Sequence, residues 1–266
     1  MIPDKFDWLS ARELADALAR SETLAKKFVE MVGPNDLIVD LACGTGANYR
    51  YLDRFFSSRH QWLGIDFDPQ ALQIASQCLP SDRASFRQVN LASELQQVPA
   101  GAGIAITASA FLDITSEDWL AQLASHCRTM PLLISMSVVG QPEWQPSHDL
   151  DELIRQQIER HQRSDHGFGP SLGPDAAGRL AKLLGEYGCQ VTLQSSDWVL
   201  DFADSSLVAM LIGGVSKRVQ SFYESNDLHT LELVQGWEES RRNQLQQGNV
   251  RVTIRHLDLL SLPTMQ

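Results

Sequence analysis

The 266-residue chain predicts an α/β fold: a doubly wound, mainly parallel seven-stranded sheet with helices on both faces and an antiparallel last strand. Three observations lead there. Short apolar runs alternate with helical patterns through the first 140 residues, as βαβ crossovers require. The last apolar run alternates inward and outward side chains, which suits an antiparallel strand covered on one face. The length and the 43% hydrophobic fraction suffice for one large buried core, so a single domain over 1–266 is expected.

Residues 11–32 have helical spacing, with Leu14, Leu18, Leu24 and Phe28 on apolar faces, and Gly33-Pro34 ends that helix. Five strand-like runs follow: LIVDLA (37–42), QWLGID (61–66), SFRQVN (85–90), GIAITAS (103–109) and PLLISMSVV (131–139). Between them, YRYLDRFF, PQALQIASQCL and SEDWLAQLASHC read as helices. Asp68 and Pro69 suit the N-cap and first turn of the second of these. The rhythm breaks over 140–175, which holds Pro142, Pro146, Pro170 and Pro174 and one short helical pattern near 149–163. That segment reads as an insertion after the fifth strand. A helix (175–187), a strand (189–194) and two more helices (204–247) come next. The run NVRVTIRHLDLL then turns Val250, Val252 and Ile254 inward and Arg251, Thr253 and Arg255 outward, as an antiparallel edge strand would.

Thirty-three acidic against 22 basic residues give a net charge of −11, a surface that repels phosphate backbones and anionic membranes. Nucleic acid is therefore not the expected partner. Cys43, Cys78, Cys127 and Cys189 are scattered, with no CxxC pair, so neither a metal site nor a disulfide framework is expected. The polar start MIPDKFDWLS lacks an apolar leader, and no run of 18 apolar residues occurs, so the expected compartment is the cytoplasm.

The stretch LIVDLACGTGANYRYL carries the chemistry: a strand, a small-residue turn, then a helix. A dinucleotide fingerprint needs a third glycine three residues after Gly46, and Tyr49 stands there. Counted from the strand, the stretch is Asp40-Leu-Ala42-Cys-Gly44-Thr-Gly46. This resembles the first motif of class I S-adenosylmethionine-dependent methyltransferases, with Ala42 in place of the first glycine. The physical logic agrees. Gly44 and Gly46 let the backbone approach a ligand. Asp40 would repel a pyrophosphate, whereas an amino-acid ammonium would be attracted to it.

The resemblance covers residues 35–140 and implies a site at the carboxyl ends of the strands. Asp66, at the tip of the second strand, suits the ribose hydroxyls. Phe67 suits the adenine face. Asn90 suits the adenine amino group or else a strand-end turn, and the Leu91 N–H suits the adenine ring. Ser109, Phe111 and Asp113 lie at and just past the end of the fourth strand and face the reacting methyl; Asp113 suits a helix cap equally. The N/D-P-P-Y signature of adenine and glutamine amino methylation is absent. The implied activity is methyl transfer to a small-molecule acceptor, with S-adenosylhomocysteine as product.

The 140–175 insertion is rich in titrating and binding side chains: Glu143, Trp144, His148, Asp149, His161, Arg163, Asp165 and His166. His161 and His166 are the candidate general bases, because histidine titrates near neutral pH. Arg163 suits an acceptor carboxylate or phosphate. The segment is expected to cover the acceptor site. Residues 1–33, with Trp8, Arg12, Asp16 and Arg20 at helical spacing, are either a lid over the cofactor or a packing helix. The helices of 204–247 offer a surface for a homodimer. Two other classes stand beside the methyltransferase: an NAD-dependent oxidoreductase, and a non-catalytic binding protein that keeps the fold.

Overall fold

The computed structural model of the protein describes residues 5–57, 59–223 and 228–264. The chain opens with α1 (Lys5–Ala19) and α2 (Glu22–Met31). The alternating part is β1 (Leu37–Leu41), α3 (Ala47–Leu52), β2 (Gln61–Asp66), α4 (Pro69–Cys78), β3 (Ala84–Gln88), α5 (Leu91–Glu94), β4 (Ile104–Ser109), α6 (Glu117–Cys127) and β5 (Leu132–Val138). Next come β6 (Glu143–Gln145), α7 (Asp151–Gln162), α8 (Ala176–Glu186), β7 (Gln190–Ser195) and β8 (Trp198–Leu200). The chain closes with α9 (Ser205–Gln220), α10 (Leu228–Gln246), β9 (Arg251–Ile254) and β10 (His256–Leu262).

Seven strands form the main sheet in the order β3-β2-β1-β4-β5-β10-β7. Only β10 runs antiparallel, against both β5 and β7. The central strands are buried on both faces, with Ile38, Val39, Leu41, Ile106 and Ile134 fully covered, which is why their sequences are apolar without alternation. At the start of α4, Asp68 accepts from the N–H groups of Gln70 and Ala71 and Pro69 fills the first helical position, as the sequence indicated.

Three expectations need correction. The single N-terminal helix is two helices, because the Ser21 hydroxyl accepts the Leu24 N–H and starts α2 anew. Leu24 and Phe28 are buried, but Leu14 and Leu18 are 70% and 77% exposed. The α1 helix turns its polar face inward instead: Asp16 accepts from the Trp198 indole N–H, and Arg12 lies over the Trp198 ring. Residues 1–4 of the expected lid, and 224–227 between α9 and α10, lie outside the described residues.

The run NVRVTIRHLDLL (249–260) is also not one edge strand. It splits at Arg255: β9 joins a second, three-stranded antiparallel sheet of order β6-β9-β8, and β10 enters the interior of the main sheet. Val250, Val252 and Ile254 do point inward. Alternation records which face is covered; it is silent on which strand supplies the hydrogen bonds.

Finally, there are two insertions. Residues 139–175 follow β5, and residues 196–255 separate β7 from β10. Together with α1 they share a second core that includes Trp144, Ile154, Trp198, Ile212 and Trp237. Its anchor is Arg241, which is fully buried between the Trp144 and Trp237 rings. Arg241 Nη2 donates to both Asp151 oxygens at 2.5 and 2.6 Å, and Nη1 donates to the Pro146 carbonyl at 2.6 Å. The apolar residues of α9 and α10, among them Val208, Ile212, Val234 and Trp237, are consumed by this core.

Candidate active site

The β1 turn is built from unusual backbone. Ala42, Gly44 and Gly46 all take positive φ, at 51°, 53° and 84°. A Cβ on Gly46 would lie 2.6 Å from Leu79 Cδ1, so glycine is required there for space as well as conformation. A Cβ on Gly44 would meet only Leu9 Cδ1 of α1, at 4.0 Å, so open room lies between the turn and that helix. Ala110 and Met136, just past β4 and within β5, also take positive φ, at 54° and 57°. All three strained alanine and methionine residues therefore lie around the carboxyl edge of the sheet, where strain of this kind marks functional sites.

Two carboxylates frame the turn. Asp66, at the end of β2, accepts the Gly44 N–H at 2.8 Å through Oδ2 and the Asp68 N–H at 2.9 Å through Oδ1. Asp40, near the end of β1, is buried; Oδ1 accepts from Asn48 Nδ2 at 2.6 Å and Oδ2 has no partner among the described residues. Burial pushes the Asp40 carboxyl up to about 7, against the opposing pull of the Asn48 bond and the Arg20 charge. Asn48 also donates to Thr107 Oγ1 and accepts from Arg20 Nη2, so the α1–α2 break, α3, β1 and β4 meet in one polar network.

The α1 helix lies along this turn. Glu13 accepts two hydrogen bonds from Arg50, both 2.7 Å, and Lys5 is 2.7 Å from Asp68. Between α1 and α3 runs a cleft of about 370 Å³, lined by Ser10, Glu13, Arg20, Tyr51 and Ser109 among others, a size suited to small ligands. Phe67 is exposed beside Asp66, with the Lys5 ammonium 5.6 Å from its ring centre. Asn90 caps α5 through the Ala92 N–H at 3.1 Å, and Leu91 is buried at the start of that helix. The turn role of Asn90 is thus realised, and any ligand contact would use its remaining amide hydrogens or oxygen lone pair.

A second group of side chains gathers around Arg12. Asp113 does not cap α6; Ser116 does, through the Trp119 N–H. Burial raises the Asp113 carboxyl, and Arg12 and His166 lie within its electrostatic reach. Phe111 is buried against Trp119 and Phe168. His161 stacks edge-on with His166 and faces Phe222, just past α9; partial burial lowers it to about 4. His166 Nε2 is turned to the His161 carbonyl at 3.1 Å. Arg163 is engaged by Asp175 at 2.9 Å, Glu143 by Arg255, and Asp165 by the Gly167 and Gly169 N–H groups. The structure thus brings Asp113 and His166 towards Arg12 and leaves Arg163 in a surface pair.

Sequence reasoning missed His256. It stands at the first position of β10, opposite Val138 at the end of β5. Burial lowers it to about 4, with Arg12 adding to the effect, so it is neutral at pH 7. Its Nδ1 donates to the Ile254 carbonyl at 2.9 Å, which leaves the Nε2 lone pair without a partner among the described residues. Nothing local in RHLDLL marks this residue; only the chain crossing between two sheets places it.

Residues 38–130 match a family model described as a methyltransferase domain. No curated protein matches the chain in sequence. Among solved structures, a Bacillus halodurans C-125 protein with a provisional methyltransferase assignment aligns over 92% of this chain and 100% of its own, at 14% identity and a TM-score of 0.51. The cyclopropane synthase MmaA2 of Mycobacterium tuberculosis aligns over 90% and 83%, at 12% identity and TM-score 0.48. Geranyl diphosphate C-methyltransferase of Streptomyces coelicolor A3(2) aligns over 90% and 75%, at 13% and 0.46. Residues 38–130 are thus similar to a methyltransferase domain, and the fold is shared with the Bacillus halodurans protein.

Proposed function

We propose that this enzyme methylates a small-molecule acceptor held between the carboxyl ends of β4 and β5, with the amino end of β10 beside them, and the second core. The observation that carries the reading is the buried, unpartnered Oδ2 of Asp40 behind the open Ala42–Gly46 turn, with Asp66 at the far side. An orphaned buried oxygen of this kind fits an ammonium or its water. Bound S-adenosylmethionine supplies a methyl group on a sulfonium, open to in-line displacement.

The chain's own residues then bind and orient. Gly44 and Gly46 give the ligand close access to the backbone, and Asp66 accepts from ribose hydroxyls with its remaining lone pairs. Phe67, Asn90 and Leu91 border the adenine, and Ser109 the methionine side. The α1 helix acts as a lid, tied down by Glu13–Arg50 and Lys5–Asp68. Orientation supplies the larger share of the rate, roughly 7–11 kcal/mol, against about 3–5 kcal/mol for a general base. Asp113, His166 and His161 are the proton acceptors drawn from the sequence. His256 joins them on the strength of its free Nε2, and His161 is the most remote, turned towards Phe222.

Calorimetric titration tests the reading. S-adenosylhomocysteine binds and NADH does not, and Asp66→Ala abolishes the binding. Unchanged affinity in Asp66→Ala refutes the ribose placement, and binding of neither ligand refutes the cofactor site. Incubation with a metabolite extract and labelled methyl donor then identifies the acceptor; label in macromolecules alone rules out the small-molecule reading.

A further inference from the structure

His256 stands where the two sheets part, and both its main chain and its ring are fixed. Its backbone N–H donates to the Asp197 carboxylate at 2.9 Å, and its ring centre lies 5.3 Å from that of Trp198. A backbone carbonyl can only accept, so the 2.9 Å contact of Nδ1 with the Ile254 carbonyl puts the ring proton on Nδ1. Nε2 is therefore a lone pair, and no described residue donates to it. The side chain is almost wholly buried, and that burial, with the Arg12 charge nearby, keeps the ring neutral. A buried acceptor without a donor is costly, so this lone pair points to a ligand that brings the hydrogen.

The surroundings decide what kind of group brings it. Arg12 packs on the same Trp198 ring, 5.1 Å from its centre, and acts electrostatically on both His256 and Asp113. Its Nε and Nη2 donate to Asp16 at 2.9 and 3.2 Å, and Nη1 has no partner among the described residues. Asp16 is spent on these bonds and on the Trp198 indole N–H. Three acceptor chemistries can be weighed in that setting. A carboxylate would set its own lone pairs against that of Nε2. An ammonium has a hydrogen to give but brings a positive charge towards Arg12. A hydroxyl gives the hydrogen, is neutral beforehand, and gathers negative charge as the hydrogen leaves, which the guanidinium favours. The Trp8 and Trp198 rings, edge-on at 6.2 Å, offer the body of such a molecule an apolar wall. The other histidines are already committed: His166 Nε2 to the His161 carbonyl, and the His161 ring to His166 and Phe222.

Resting on the methyl-transfer reading above, we propose that the acceptor is a hydroxyl compound, an alcohol or a phenol, and that Nε2 of His256 takes its proton during transfer. The oxygen–carbon bond forms as the carbon–sulfur bond breaks, the electron pair of the broken bond stays on sulfur, and the hydroxyl proton moves to Nε2. The positive charge of the sulfonium thus passes to the imidazolium and leaves as a proton to water. The products are a methyl ether and S-adenosylhomocysteine. The test is incubation of the enzyme with S-adenosylmethionine labelled in its methyl group and a metabolite extract, followed by chemical sorting of the labelled small molecules. The label is expected to survive mild alkali, which cleaves methyl esters, and to leave as methyl iodide in hot hydriodic acid, which cleaves methyl ethers and spares N-methyl amines at the same temperature. Alkali-labile label, or label retained through hydriodic acid, overturns the proposal and leaves the methyl-transfer reading standing. No transferred label at all removes both. His256→Asn keeps an amide N–H for the Ile254 carbonyl and lacks Nε2. It is expected to lower turnover by about 10²–10⁴-fold, with S-adenosylhomocysteine affinity within about 3-fold of wild type by calorimetry. Unchanged turnover in this variant overturns the proposal, as does a comparable loss in Asp113→Asn with none in His256→Asn. The sorting of the wild-type product needs no variant, so a folding defect in His256→Asn does not shield the hydroxyl assignment.

Discussion

Replacing Asp40 with asparagine should make the ligand-free protein more stable at pH 8 while weakening its hold on the cofactor. The side chain is 2% exposed, and burial moves its carboxyl from an ordinary 3.8 to about 7. The folded state therefore holds this proton more tightly than the unfolded chain does. The stabilisation from that preference is complete below the unfolded value of 3.8 and is lost as the pH rises to about 7. A displacement of that size corresponds to roughly 4 kcal/mol at its limit. Asparagine preserves shape and an oxygen to accept the Asn48 Nδ2 bond, but it does not titrate. Urea unfolding of both proteins, without ligand, across the range from about pH 4 to about pH 8 reads the difference. The wild type should lose stability relative to Asp40→Asn as the pH rises, by a few kcal/mol over the whole range. Saturating S-adenosylhomocysteine should shrink the gap, because its ammonium compensates the wild-type charge and not the amide. Parallel stability curves for the two proteins would refute the reasoning.

The Glu13–Arg50 pair is one-third exposed, so Glu13→Gln should cost under about 1 kcal/mol of stability yet release S-adenosylhomocysteine several-fold faster in stopped-flow displacement; an unchanged release rate removes the lid role of α1. Arg241→Met leaves Asp151 without its buried partner and should lower the unfolding free energy by about 3–5 kcal/mol, partly recovered in the Arg241→Met, Asp151→Leu double variant. A loss below about 1 kcal/mol in denaturant titration would show that Arg241 is not the anchor of the second core.

What the sequence revealed was local. The Asp40–Gly46 turn, the Asp66 strand tip and the Asp68-Pro69 helix start are each set by a few consecutive residues, and each stands where it was read. Ser21 was equally legible as a helix start, since its hydroxyl caps Leu24, but the longer periodicity of 11–32 masked it. The inward face of α1 was unreadable for a different reason. Apolar spacing marks the leucines as the buried face, but α1 turns Ala15 into the second core and sets Arg12 and Asp16 against Trp198. The contributions of Arg20 and His256 come from segments more than 100 residues from several of their partners, such as Ser135 and Val138, and no local pattern encodes that meeting.

The strand pair β9–β10 has an engineering consequence. Residues 251–254 belong to the small sheet, residues 256–262 to the large one, and Arg255 alone separates them. One continuous backbone thus acts as a common spine for the large sheet and the second core. A one-residue insertion at 255 would invert inside and outside along one of the two sheets. Transplanting a different second core onto this sheet would demand three coordinated splices, at α1, after β5 and after β7, all in phase with that spine. Retargeting by substitution within the existing frame is the more accessible route.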